Sequence, residues 1–184
     1  MAKKKRIGII GQSGEISRVL AEQAYEVGRL LAAADALVFC GGRDGVMAAI
    51  SQGVHEHGGL TVGILPWDDL EQANDFISIP ITTGLSMETR SIVLIHSCDC
   101  FIMISGGNGT LGELSGAYLN RRPVVILSNT GGWSDRIKSV LVEGKYLDER
   151  KQSPIYFAET PQSAVQQALD LCELPLRQAD PKVG

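Results

Sequence analysis

Aromatic side chains are scarce in this sequence. Phe, Tyr and Trp make up 5% of the 184 residues, and no basic stripe is interleaved with them, so nucleic acid is not expected as a partner. Nor is there an excess of basic charge: 17 Lys and Arg stand against 21 Asp and Glu, a net charge of −4. Apolar runs are all short. None approaches the roughly 18 residues of a membrane span, and the basic tip at residues 1–5 is not followed by the apolar segment of a signal peptide. The expectation is a cytoplasmic protein with no membrane contact. Cys40, Cys98, Cys100 and Cys172 form no C-x-x-C pair, and His55, His57 and His96 have no ligand spacing around them, so no metal site is expected. Cys98 and Cys100 read instead as small buried thiols.

Glycine is what the chain has in quantity: 21 residues, most of them between periodic segments. Short apolar runs alternate with helical-period stretches along the whole length. RIGII (6–10), ALVFC (36–40), LTVGIL (60–65), FISIPIT, CFIMI (100–104), PVVIL (123–127) and IYFAE read as strands. EISRVLAEQAYEVGRLLAAA, VMAAISQGVHEHG, SMETRSIVLIHS, TLGELSGAYLN, SDRIKSVLVEG and TPQSAVQQALDLCEL read as helices. In the last, Thr160 as N-cap and Pro161 at the first helical position mark the start. Apolar runs without alternation imply strands covered on both faces, hence a parallel sheet under two helical layers. The fold class is therefore α/β: one doubly wound, Rossmann-like domain over residues 1–184, with 177–184 as a flexible tail.

In such a sheet every β-to-α loop lies at one edge, where ligands bind. The loops there are GQSG (11–14), GGRDG (41–45), PWDD (66–69), SGGNGT (105–110) and SNTGGW (128–133), and four of these five carry glycine. A glycine loop that opens a helix offers backbone N–H groups and the positive end of the helix dipole, so a phosphate is the natural guest. The candidate ligand contacts are Gly11, Ser13, Gly41, Gly42, Gly106, Gly107, Asn108, Gly109 and Thr110. Arg90, early in the helix before CFIMI, is suited to a phosphate or carboxylate by its planar fork. Thr110 and Glu113 fit a capping box, so Glu113 is either a helix cap or a chemical group. Trp67 and Trp133 either pack their loops or stack on a ring. The G-x-G-x-x-G fingerprint, the Walker loop and the G-x-S-x-G elbow are all missing, which disfavours NAD, P-loop ATP hydrolysis and α/β-hydrolase chemistry. No pyridoxal-binding motif is recognisable, and no cofactor is expected to be required for folding.

CGGRDGVM, GGLTVGILP, METRS and SGGNGTLGE, in this order, resemble the nucleotide-binding Rossmann proteins of the LONELY GUY type, often labelled "lysine decarboxylase-like". The resemblance spans about residues 6–127. GILPWDDLEQAND with ITTGLS is similar to the molybdenum-cofactor carrier-like branch. That likeness implies a protein holding a phosphate-bearing ligand, with the molybdenum cofactor as cargo. The cytokinin-activating branch implies a nucleoside 5′-monophosphate phosphoribohydrolase, which releases free base and ribose 5-phosphate. There Gly106, Gly107, Gly109 and Thr110 would cradle phosphate, and Arg90 and Glu113 would be the catalytic pair. Ser105 stands where those enzymes have Pro, and Ser91 where they have Lys. A third expectation is a nucleotide-sensing oligomer without turnover. A homodimer or higher homo-oligomer is expected, through the helices that follow GGRDG and SGGNGT.

Overall fold

The computed structural model describes residues 3–173; the start of the basic tip and the tail expected at 177–184 lie outside them. Seven strands form one sheet: Arg6–Gly11 (β1), Leu37–Cys40 (β2), Leu60–Leu65 (β3), Ile79–Thr82 (β4), Cys100–Ile104 (β5), Val124–Leu127 (β6) and Ile155–Ala158 (β7). Their order is β4-β3-β2-β1-β5-β6-β7 and every pairing is parallel. The helices are Arg18–Ala33 (α1), Val46–Glu56 (α2), Met87–Ser97 (α3), Asn108–Leu119 (α4), Gly132–Arg136 (α5) and Pro161–Leu171 (α6).

Two cores share the sheet. Cys100, Ile102 and Ile104 of β5 pack with Leu20, Ala24, Val27 and Leu31 of α1, Ile50 and Val54 of α2, and Ala164, Val165 and Ala168 of α6. Phe101 and Met103, one residue out of step, pack with Leu94 and Ile95 of α3 and Leu114, Ala117 and Tyr118 of α4. The period of two along a strand thus sends alternate side chains into opposite layers, and both faces are dry. The α1–α2 contact is close because both helices lack a side chain where they cross. A Cβ at Gly28 would sit 2.2 Å from the Ile50 carbonyl oxygen, and one at Gly53 would sit 2.2 Å from that of Tyr25.

Three ion pairs lie at the opposite edge from the loops. Arg6 donates to Asp99 from its backbone N–H (3.0 Å), Nε (3.1 Å) and Nη2 (2.5 Å), joining the starts of β1 and β5. Lys4 pairs with Asp35 at 2.5 Å and Lys5 with Glu173 at 2.8 Å. Lys4 and Lys5 of the basic tip are therefore engaged at the amino ends of the strands. Among the described residues no helix is long and apolar enough to cross a membrane.

One expected helix is shorter than its pattern. SDRIKSVLVEG is helical only through Arg136, followed by a 3₁₀ turn at Ile137–Val140 and extended backbone at Leu141. The Ser139 hydroxyl donates to the Arg136 carbonyl (2.8 Å), a local bond that competes with helix continuation. The Val142–Tyr146 bridge then turns the chain toward β7.

Candidate functional site

Strand order reverses between β1 and β5, the crevice position where open α/β sheets take ligands. The pairing Gly11↔Ile104 sets the ends of these strands side by side, so loops 11–14 and 105–107 leave together. Between them and α3 lies a cleft of about 820 Å³, lined by Gly11, Ser13, Arg90, Gly106, Gly107, Asn108, Gly109, Thr110 and Glu113. Met47, Met87, Ile92 and Ile95 supply an apolar side.

The start of α4 is left open to this cleft. Its N-cap, Gly107, has no side chain to satisfy the first N–H groups, whereas Ser17, Ser86 and Thr160 cap α1, α3 and α6 with their own oxygens. The expected capping box does not form. Thr110 is inside the helix, and its hydroxyl donates across the crevice to the Gly11 carbonyl at 3.0 Å. Instead of accepting from a backbone N–H of its own helix, the hydroxyl donates to a tertiary carbonyl, and this bond ties loop 11–14 to α4.

The glycines of α4 carry a second message. A Cβ on Gly107, Gly109 or Gly112 would meet no atom within 4 Å, and all three residues line the cleft. Packing does not require these glycines. In a helix interior Gly costs about 0.5–1 kcal/mol relative to Ala, so Gly109 and Gly112 leave α4 less stable than it need be, while Gly107, at the cap, carries no such cost. Gly106 differs. Its φ is +112°, and a Cβ there would collide with Thr110.

Arg90 and Glu113 meet at the inner wall. Arg90 is 4% exposed, and its Nε and Nη1 are buried without a hydrogen-bond partner. Glu113 lies 3.8 Å from Nη1, an ion-pair distance but not a hydrogen bond. Burial draws the guanidinium below its ordinary value while Glu113 pulls the other way. Burial pushes the Glu113 carboxyl up, with Arg90 and the Ser91 hydroxyl (3.1 Å to Oε1) opposing it. Ser91 therefore holds Glu113 from the position where the resemblance has Lys. Glu88 turns to its own backbone N–H and the Ser86 hydroxyl, which hold it low.

Gly41 and Gly42 stand apart from the cleft lining. A Cβ on Gly41 would lie 2.4 Å from Arg90 Nη2, so this glycine makes space for the guanidinium rather than for a guest. Gly42 (φ +78°) abuts Leu65 and Gly63. Neither tryptophan is among the described residues lining the cleft: Trp67 is 48% exposed, and Trp133 packs against the second core. Residues the sequence reading passed over are Gln12, Met47, Met87 and Arg136, all at the cleft. The signal for Arg136 was available, since it lies three residues after the ligand-edge loop SNTGGW.

The profile of the SLOG cluster4 family matches residues 4–165. The chain belongs to that family. It is 45% identical to the crystal structure of TM1055, a structural-genomics target, over 90% of this chain and 99% of the other, with a TM-score of 0.86. It is 28% identical to the molybdenum cofactor binding protein of Rippkaea orientalis, covering 93% and 99% of the two chains with a TM-score of 0.79. The cytokinin riboside 5′-monophosphate phosphoribohydrolase LOG5 of Arabidopsis thaliana is 41% identical over 80 residues, 42% of this chain and 35% of the enzyme. As a SLOG cluster4 protein the chain thus has the Rossmann-like fold expected of it and relatives in both branches of the resemblance.

Proposed function

We propose that this protein binds a phosphate-bearing, nucleotide-like ligand in the β1/β5 cleft and acts as a carrier of the molybdenum-cofactor type. The observation that carries the reading is the wall of α4: an uncapped N-terminus and three glycines with nothing to avoid, facing a buried and unsatisfied Arg90. The donors suit a phosphate, and Met47, Met87 and Ile92 suit a flat ring. The residues present therefore fit the pyranopterin phosphate as cargo. The cleft N–H groups hold and orient the guest, and Arg90 supplies the charge that a dianion needs. The reading is tested by calorimetric titration with inorganic phosphate and AMP, and by recovery of pterin cofactor bound to the purified protein. Failure of all three to bind sinks it.

A second reading, nucleoside 5′-monophosphate phosphoribohydrolase, is favoured by one observation: Glu113 lines the same cleft beside Arg90. Glu113 is five residues beyond Asn108, about 7–8 Å along the helix axis, a suitable offset between a bound phosphate and a reacting sugar carbon. A carboxylate there would stabilise the positive charge that grows on the ribose as the glycosidic bond breaks. Incubation with AMP and other nucleoside monophosphates, followed by assay of ribose 5-phosphate, separates the two. Turnover abolished by Glu113→Gln supports the hydrolase, because Gln still accepts the Ser91 bond while the charge is gone. Binding without turnover supports the carrier or a sensor. Self-association belongs to the same proposal, but through α3 and α4, where Ile92, Val93 and Leu119 stay exposed. The other helix expected at the interface, α2, is largely covered, with Ile50 and Val54 buried against α1.

A further inference from the structure

Arg136 is the second cation that lines the cleft, and among the described residues no hydrogen bond or ion pair engages its side chain. Its neighbour Asp135 is already committed, accepting from the backbone N–H groups of Asn129 (2.7 Å) and Gly131 (2.9 Å). Among the described residues no ion pair involves Arg136. Yet its backbone is held firmly. Ser134 and Ile137 on either side are 1% and 2% exposed.

The segment that carries it is fastened to the glycine loop itself. The Ser105 N–H donates to the Thr130 hydroxyl (2.9 Å), the Ser134 hydroxyl to the Ser105 carbonyl (3.0 Å), and the Trp133 N–H to the Gly106 carbonyl (2.9 Å). Gly132 sits so close that a Cβ would lie 2.4 Å from the Gly106 carbonyl oxygen. Any movement of the glycine loop therefore carries Arg136 with it. Arg90 is buried at the inner wall, whereas Arg136 is exposed at the rim beside the start of α4.

We infer that Arg136 is the outer cation of this site, closing over a phosphate monoester held at the start of α4 and selecting the phosphorylated form of the ligand. The inference rests on the reading that the cleft holds a phosphate-bearing ligand. It adds a second cation to the phosphate: Arg136 from the rim, opposite the inner wall where Arg90 lies, with the rest of the molecule extending along the cleft toward Glu113. A guanidinium can bond two phosphate oxygens at once, and at the rim it does so without the desolvation that Arg90 has already undergone.

Titrations of AMP, ribose 5-phosphate, inorganic phosphate and adenosine into the wild type, Arg136→Gln and Arg136→Lys test it. The expected result is roughly ten- to a hundredfold weaker binding of the phosphorylated probes to R136Q. R136K should recover part of the loss, adenosine should be unaffected, and the unfolding midpoint without ligand should not move. Equal binding of AMP by wild type and R136Q overturns the inference while leaving the cleft reading intact. An equal loss for adenosine overturns it too, since Arg136 would then hold the ring end. If the wild type binds none of the phosphorylated probes, the cleft reading itself falls and this inference with it.

Discussion

At the scale of single residues, a glycine decides how Arg90 is seated. Gly41 has no side chain where the guanidinium lies, and its backbone is not in the left-handed region, so Ala is conformationally allowed there. The atoms that a Cβ at Gly41 would meet first, at 2.4–2.8 Å, all belong to the Arg90 guanidinium. We expect G41A to cost about 1–3 kcal/mol by overpacking and to weaken phosphate binding. The same change in an Arg90→Ala background should cost almost nothing, a non-additivity that chemical denaturation of the four proteins measures. Sequence alone could not separate the two uses of glycine. GGRDG and SGGNGT look alike as strings, but Gly41 of the first makes room for a side chain, whereas Gly107 and Gly109 of the second face open space along the cleft. The Thr110–Glu113 spacing misled for a related reason. A capping box is a local pattern, and only the tertiary neighbour Gly11 reveals where the Thr110 hydroxyl goes.

At the scale of elements, α4 sets stability against binding. Gly112→Ala should raise stability by about 0.5–1 kcal/mol, since helix propensity improves and no atom is displaced. It should also weaken AMP or phosphate binding roughly tenfold, because the new methyl occupies the cleft. Thermal unfolding and titration of the same sample check both halves. The Arg6–Asp99 staple gives a pH test. Burial pushes the Asp99 carboxyl up, but the bonds from Arg6 outweigh it and hold the group below its ordinary value. Its contribution is therefore present above the ordinary Asp pKa of about 3.9 and is lost as pH falls through the depressed one. Asp99→Asn should cost about 1.5–3 kcal/mol at neutral pH, and the difference should shrink on acidification across that window, as followed by urea unfolding. The strands were the most legible elements: LTVGIL and CFIMI match β3 and β5 end for end, because residues buried on both faces leave unbroken apolar runs. The segment after α5 was not legible. Its apolar spacing suits a helix, but Ile137 is buried while Val140 is 64% exposed, so tertiary demand ends the helix there.

At the scale of the molecule, one sheet is common to both cores, and neither helical layer has strands of its own. Unfolding should be a single cooperative event. In Trp67→Phe, Trp133 is the remaining tryptophan and reports on the second core. Its fluorescence should change at the same urea midpoint as far-UV circular dichroism, which follows the helices of both layers. Separate midpoints would mean that the layers come apart independently. The molecule also has two unlike poles. Lys4–Asp35, Lys5–Glu173 and Arg6–Asp99 all lie at the amino ends of the strands, and the cleft opens at the carboxyl ends. The length of β1, about 17–20 Å for its six residues, stands between them. The first described residue and the last, Glu173, both belong to the ion-paired pole. A solid support that holds the protein by the ion-paired pole leaves the cleft facing outward, so immobilised molecules should exchange small ligands as freely as dissolved ones.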